Sequence, residues 1–171
     1  MSLRQGLAVA AVALAAGTSA GCGSCVKVDE RIVVDVIAGP DVNAGGGTPQ
    51  PVRLRVWGVK DRALFESVAV ERLVEGDAAA LERQGIGRAF EDGSGAWVRP
   101  GGTIQTVQKR GADEEIAFVG IAVRFPTAKR EVIALDCSTR PGYTLARPEH
   151  KVVFRLEKDS IVVGGAEPAA K

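Results

Sequence analysis

Histidine, methionine and aromatic side chains are scarce in this chain. Among 171 residues there is one His, one Met, two Trp, one Tyr and five Phe. A single histidine, His150, leaves little material for His-based metal centres or for a relay of imidazoles, and it precedes a strand where a surface or edge position is expected. No His-Glu-x-x-His pair or Gly-Lys-Ser/Thr phosphate loop occurs. Gly45-Gly46-Gly47 lacks the lysine and the helix start that a phosphate cradle needs, so it reads as loop. Asp113, Glu114 and Glu115 lie beside a turn and read as a solvated face. The sequence points to no enzyme, no metal and no cofactor.

Charge of one sign is also missing. The chain has 22 Lys and Arg against 21 Asp and Glu. Without a basic excess there is no force to displace counterions from nucleic acid, and no polybasic grip on anionic lipid. Long apolar runs are absent except at the start. Arg4 is followed by the weakly apolar residues 7–16 and then by Gly17-Thr18-Ser19-Ala20-Gly21-Cys22. A positive start, a short apolar stretch and a small-residue exit make a secretory signal, too short to span a bilayer as a helix. The exit resembles a bacterial lipobox, with Ser19 where that motif usually has Leu. Cys22 would then be the acylated first residue of the mature protein; cleavage before Gly21 without a lipid is the alternative.

This division makes residues 1–21 a lipoprotein-type signal, 22–30 a lipidated cysteine with a short tether, 31–163 the folded domain and 164–171 a flexible tail. Removing the leader takes away only Arg4 among the charged residues and leaves a formally neutral chain, large enough for one domain with a real core. Two or more acyl chains hold a protein stably on a membrane. A tether from Gly23 to Glu30 spans at most about 25–30 Å, which keeps the domain close to the lipid. Of three cysteines, Cys22 goes to the lipid, and Cys25 and Cys137 remain as a candidate disulfide pair in an oxidising compartment. Cys22-Gly23-Ser24-Cys25 lacks the βαβ surroundings of a redox motif, and no compact Cys/His pair completes a zinc site.

What is present is strand periodicity. Residues 31–38 place Ile32, Val34 and Val36 on one face and Asp35 on the other. Residues 39–50 carry Pro40, three consecutive glycines and Pro49, and form a long loop. Residues 52–59 alternate, with Val52, Leu54 and Val56 opposite Arg53, Arg55 and Trp57. One helix over about residues 61–75 follows, N-capped by Asp61, striped by Leu64, Phe65, Val68, Ala69 and Leu73 and stopped by Gly76; Asp77 can cap a further turn. Strands are expected again at 96–99, 103–109, 115–125, 131–137, 151–156 and 160–163, the 115–125 strand being buried on both faces. The whole is mainly all-β: an antiparallel β-sandwich of about eight strands with one inserted α-helix after strand two.

The order of these segments resembles a known family. Ala38-Gly39-Pro40-Asp41-Val42-Asn43 ends the first strand, and Pro51-Val52-Arg53-Leu54-Arg55-Val56-Trp57 opens the second. The helix runs from Phe65 to Asp77, Pro100-Gly101 forms a turn, and Val119-Gly120-Ile121-Ala122-Val123-Arg124-Phe125 forms a later strand. This set is similar to the TssJ family, the outer-membrane lipoproteins of type VI secretion systems. The family often has Gly-Arg-Pro where this chain has Gly46-Gly47-Thr48, and a Trp-Arg pair where it has Lys129-Arg130. The resemblance implies a transthyretin-like sandwich with a protruding loop between strands one and two. It also implies a non-catalytic role: anchoring the trans-envelope complex by binding the periplasmic C-terminal domain of the inner-membrane protein TssM. Localisation would be the periplasmic face of the outer membrane, reached through Cys22; Gly23, rather than Asp, after the cysteine favours that membrane.

The partner-binding loop would offer Asp41, Asn43, Thr48 and Gln50 as polar contacts and Val42 and Pro49 as apolar ones. The loop after strand one, the Pro100–Gly102 turn and the connection after residue 125 are expected at one end of the sandwich. The alternative is an unrelated periplasmic β-sandwich lipoprotein that binds a carbohydrate or small ligand, which needs exposed aromatics on a concave face. A self-assembling structural lipoprotein is a third reading. Nucleic acid and a small-molecule substrate are not expected.

Overall fold

The computed structural model describes residues 29–44, 47–91, 95–111, 114–135 and 149–168. The strands and helices run in the order β1 (Glu30–Ala38), β2 (Val52–Val59), α1 (Arg62–Ser67), α2 (Val70–Glu75), α3 (Ala78–Arg83), β3 (Gly87–Ala89), β4 (Ala96–Val98), β5 (Thr103–Arg110), β6 (Phe118–Arg124), β7 (Lys129–Ala134), β8 (Glu149–Glu157) and β9 (Ser160–Pro168). One sheet has the order β5-β1-β8-β9. The other has the order β3-β2-β6-β7, with β4 also pairing to β2.

Alternation in the strands builds the layer between the sheets. Ile32, Val34 and Val36 of β1 and Val152, Phe154 and Leu156 of β8 pack with Val52, Leu54 and Val56 of β2 and Val119, Ile121 and Val123 of β6. All twelve are essentially inaccessible to solvent. Full burial of such side chains stabilises by about 1.5–3 kcal/mol each, before the entropy of ordering is charged against it. β6 lies between β2 and β7 and is buried on both faces, as its sequence requires.

The opposite face of the second sheet carries a separate apolar layer. Trp57 and Val59 of β2 and Ala122 of β6 meet Phe65, Leu73, Val74, Leu81 and Ile86. Gly120 makes this layer close. A Cβ added there would lie 2.8 Å from Phe65 Cζ and 3.0 Å from Val59 Cγ2. The helices therefore cover one sheet, and the other sheet has no helix among the described residues.

Four features differ from the sequence expectation. The helix expected over 61–75 is broken: Val68 and Ala69 are extended, with ψ of 137° and 135°, so the segment to Arg83 forms three short helices. The apolar three- and four-residue spacing survives the break, which is why periodicity alone conceals it. Asp61 and Asp77 do cap α1 and α3, accepting from the backbone N–H groups of Leu64 and Ala79. β3 is an added strand, three residues long and too short to show alternation. β1 and β8 pair in parallel, although the other strand pairs are antiparallel. Hairpin reasoning cannot see such a pairing between distant segments. Finally, β9 continues to Pro168, so residues 164–168, expected in a frayed tail, pair with β8.

Candidate partner interface

The loop after β1 is tied at its base. Ala38 donates its N–H to the Gly102 carbonyl at 2.9 Å, and Gly101 donates to Gly39 at 3.1 Å. Gly39 donates to Leu156 at 2.7 Å, and Asn43 donates to Lys158, in the β8–β9 turn, at 2.6 Å. The loop thus joins the β4–β5 turn at one end of the sandwich, as expected, and the β8–β9 turn joins them. Asn43 sits at φ 57°, a left-handed conformation that Asn tolerates better than most residues.

Val42 is fully buried and packs in the layer between the sheets. It was expected to offer apolar contact to a partner; a β-branched side chain with no exposed surface cannot, and it pins the loop instead. Beyond it, Asp41, Thr48 and Gln50 are exposed and Asn43 and Pro49 are half-buried. Gly47 donates its N–H to the Ala44 carbonyl at 2.5 Å.

The tip borders an open groove of about 490 Å³. Asn43, Thr48, Gln50, Trp97, Arg124 and Pro126 line it, so the chain after β6 also reaches this end. Trp97 is 63% exposed, in contrast to Trp57, Phe65, Phe90 and Phe154, which are inaccessible. Sequence alternation alone gave no sign of this: Trp97 is in a three-residue strand whose exposed side depends on its pairing with β2. Arg124 is exposed and lies 3.8 Å from Glu75.

Two further arginines fasten the helices. Arg55 donates through Nη1 to the carbonyls of Leu73 at 3.3 Å and Gly76 at 2.7 Å. Its guanidinium lies 5.8 Å from the centre of the Trp57 ring. Burial lowers the Arg55 pKa, the neighbouring Arg53 lowers it further, and Asp77 acts in the opposite sense. Arg130 of β7 donates to the carbonyls of Phe65 and Val68. A continuous helix would use those two acceptors for the N–H groups of Ala69 and Arg72. Arg130 takes their place, which accounts for how the break at Val68 is tolerated.

The far end of β1 has different chemistry. Glu30, whose side chain is 1% exposed, is paired with Arg110, and His150 Nε2 lies 3.2 Å from Glu30 Oε2. His150 is therefore largely enclosed between strands and not at a surface or edge. At about 3.3 Å per residue, the nine residues of β1 put this end about 26 Å from the loop. Cys22, Cys25 and Cys137 lie outside the described residues. Among the described residues no group of three His, Cys, Asp or Glu side chains is placed to hold a metal, and no helix is long and apolar enough to cross a membrane.

The family model described as type VI secretion lipoprotein, VasD, EvfM, TssJ matches residues 30–157. Among solved structures, the T6SS lipoprotein TssJ1 from Pseudomonas aeruginosa is 19% identical, with a TM-score of 0.61 over 82% of this chain and 98% of that one. Serratia marcescens Lip, a membrane-bound component of the type VI secretion system, is 15% identical, with a TM-score of 0.63 over 82% of this chain and 99% of that one. A chain in a structure described as the T6SS protein TssM C-terminal domain (869-1107) from EAEC is 18% identical, with a TM-score of 0.52 over 80% and 99%. At these identities the likeness is one of fold. No curated protein matches the sequence significantly.

Proposed function

The chain belongs to the type VI secretion lipoprotein family, and from that premise we propose that it is the outer-membrane anchor of the trans-envelope complex. It binds the periplasmic C-terminal domain of the inner-membrane protein TssM and does no catalysis. Acylated Cys22 holds it on the periplasmic face of the outer membrane, and the tether enters β1 at Glu30.

The observation that carries this reading is the separation of two ends. The chain enters β1 at Glu30, and the exposed loop residues Thr48 and Gln50 with the exposed Trp97 lie at the other end of that strand, about 26 Å away. A domain held close to lipid at its first strand can present that opposite end to a partner arriving from the inner membrane. The carbohydrate alternative is not favoured, because Trp97 is the sole aromatic that is largely exposed among the described residues, and a sugar platform needs more. Cys25 and Cys137 would close a disulfide between the tether and the segment after β7, provided their Cα atoms come within about 7 Å.

The test is a titration of the intact lipoprotein, in detergent, with the TssM periplasmic domain of the same secretion system. Saturable binding is expected. Absence of binding in both calorimetry and co-sedimentation would overturn the reading.

A further inference from the structure

On the outer face of the second sheet, three residues from neighbouring strands stand in one cross-strand row. Trp97 of β4 is opposite Arg53 of β2, and Arg53 is opposite Arg124 of β6. Their sequence neighbours Val52, Leu54, Val98 and Val123 point into the inter-sheet layer, so all three of the row face outward. The row is continuous with the loop tip, since Trp97 and Arg124 also line the groove beside Thr48 and Gln50.

This row has more positive charge than the described residues neutralise. Arg124 has Glu75 at 3.8 Å. Arg53 has no carboxylate within ion-pair distance among the described residues, and its Nε is buried without a hydrogen-bond partner there. Arg99, one residue beyond β4, is exposed. The Arg53 and Arg55 guanidiniums both approach Gly95: a Cβ there would be 3.5 Å from Arg53 Nη2 and 4.0 Å from Arg55 Nη2. Arg55 commits its Nη1 to two helix carbonyls, whereas the Arg53 guanidinium makes no hydrogen bond among the described residues.

We propose that the Trp97–Arg53–Arg124 row is a docking strip for an acidic segment of the periplasmic partner, with carboxylates on the two arginines and an apolar side chain on the indole. The inference rests on the partner reading above and adds the chemistry of the occupant. An arginine fork donates two parallel N–H bonds to a carboxylate, and a flat indole beside it supplies contact area at small entropic cost. Charge of one sign at the rim also speeds encounter with an oppositely charged partner and makes binding salt-dependent. The tip of the loop then fixes position while the strip selects acidity.

The experiment uses the intact lipoprotein in detergent and the TssM periplasmic domain, titrated across a series of salt concentrations. Wild type should bind progressively more weakly as salt rises. Trp97→Ala should raise Kd at least tenfold, and the double variant Arg53→Gln/Arg124→Gln should raise it at low salt and flatten its salt dependence. Thermal melting of all variants should stay within a few degrees of wild type, because Trp97 and Arg124 are exposed and the half-buried Arg53 makes no ion pair or hydrogen bond among the described residues. Wild-type binding with unchanged Kd in Trp97→Ala and an unchanged salt slope in the double variant overturns the strip and leaves the partner reading standing. No wild-type binding overturns both. Concentration-dependent self-association that Trp97→Ala abolishes assigns the strip to a second copy of the chain, and overturns the proposal likewise.

Discussion

Arg55 Nη1, on β2, donates to the carbonyl of Gly76 at 2.7 Å, reaching from the sheet to the residue at which α2 stops. The last carbonyls of a helix have no partner of their own, and this one guanidinium serves two of them while covering the buried Trp57. The helical layer is thus fastened by a sheet residue and not by its own capping alone. Arg55→Met keeps the apolar stem and removes the donors. It should cost about 2–3 kcal/mol in urea unfolding, with faster amide exchange over residues 70–76 than in β1 and β8. Uniform exchange throughout would mean that the contact is not local to the helices.

Glu30 ties three strands together at the start of β1. It is buried, it pairs with Arg110 of β5, and it faces His150 of β8. Removing the carboxylate of the buried Glu30–Arg110 pair leaves the guanidinium partly desolvated without that counter-charge, at about 3–5 kcal/mol. Arg110 and His150 retain some solvent contact, so Glu30→Gln should fall at the lower end, about 3 kcal/mol. The same variant should bind the partner with wild-type affinity at temperatures where it is folded, because the loop is at the other end of β1. A loss of affinity without a loss of stability would contradict the two-ended arrangement.

The strands with clean alternation were legible from sequence because alternation is a local property: β1 and β2 show their inward faces residue by residue. The caps Asp61 and Asp77 were legible for the same reason. What local pattern could not show depends on distant partners. The break at Val68 involves Arg130, 62 residues away, supplying donors to α1. The burial of Val42 follows from the Asn43–Lys158 bond that folds the loop back onto the β8–β9 turn. Trp97 is exposed because its short strand is held at the start of β2, where its outward neighbours are arginines. The loop itself was identifiable by its prolines and glycines; which of its residues are buried and which exposed was not.

Cys22→Ser should release the protein from the membrane fraction and abolish fatty-acid labelling in cells. Labelling that persists would place the acyl chain elsewhere. In the wild-type protein, thiol titration under denaturing conditions should find no free thiol if Cys25 and Cys137 are joined. In the chain-entropy model, closing a loop of that length stabilises by about 4–5 kcal/mol, less any strain. Reduction should therefore lower the melting temperature. Two titratable thiols without prior reduction would exclude the bond.

The loop separates into a buried base at Val42 and an exposed tip at Thr48 and Gln50, and the two should respond differently to substitution. Val42 is inaccessible and packs between the sheets, so Val42→Ala removes core contacts and should cost about 2 kcal/mol, with a cavity left behind. Deleting it together with the tip would confuse folding with binding. Replacing Thr48, Pro49 and Gln50 by a Gly-Ser-Gly turn instead leaves Val42, the left-handed Asn43 and its bond to Lys158 in place. Melting should stay within a few degrees of wild type, because Thr48 and Gln50 are exposed and Pro49 is only half-buried. Affinity for the TssM domain should nevertheless fall at least tenfold in a calorimetric titration. If the tip replacement binds like wild type while Val42→Ala loses both stability and affinity, the loop acts only by holding that end of the sandwich in shape. Contact would then have to come from Trp97 and its neighbours alone.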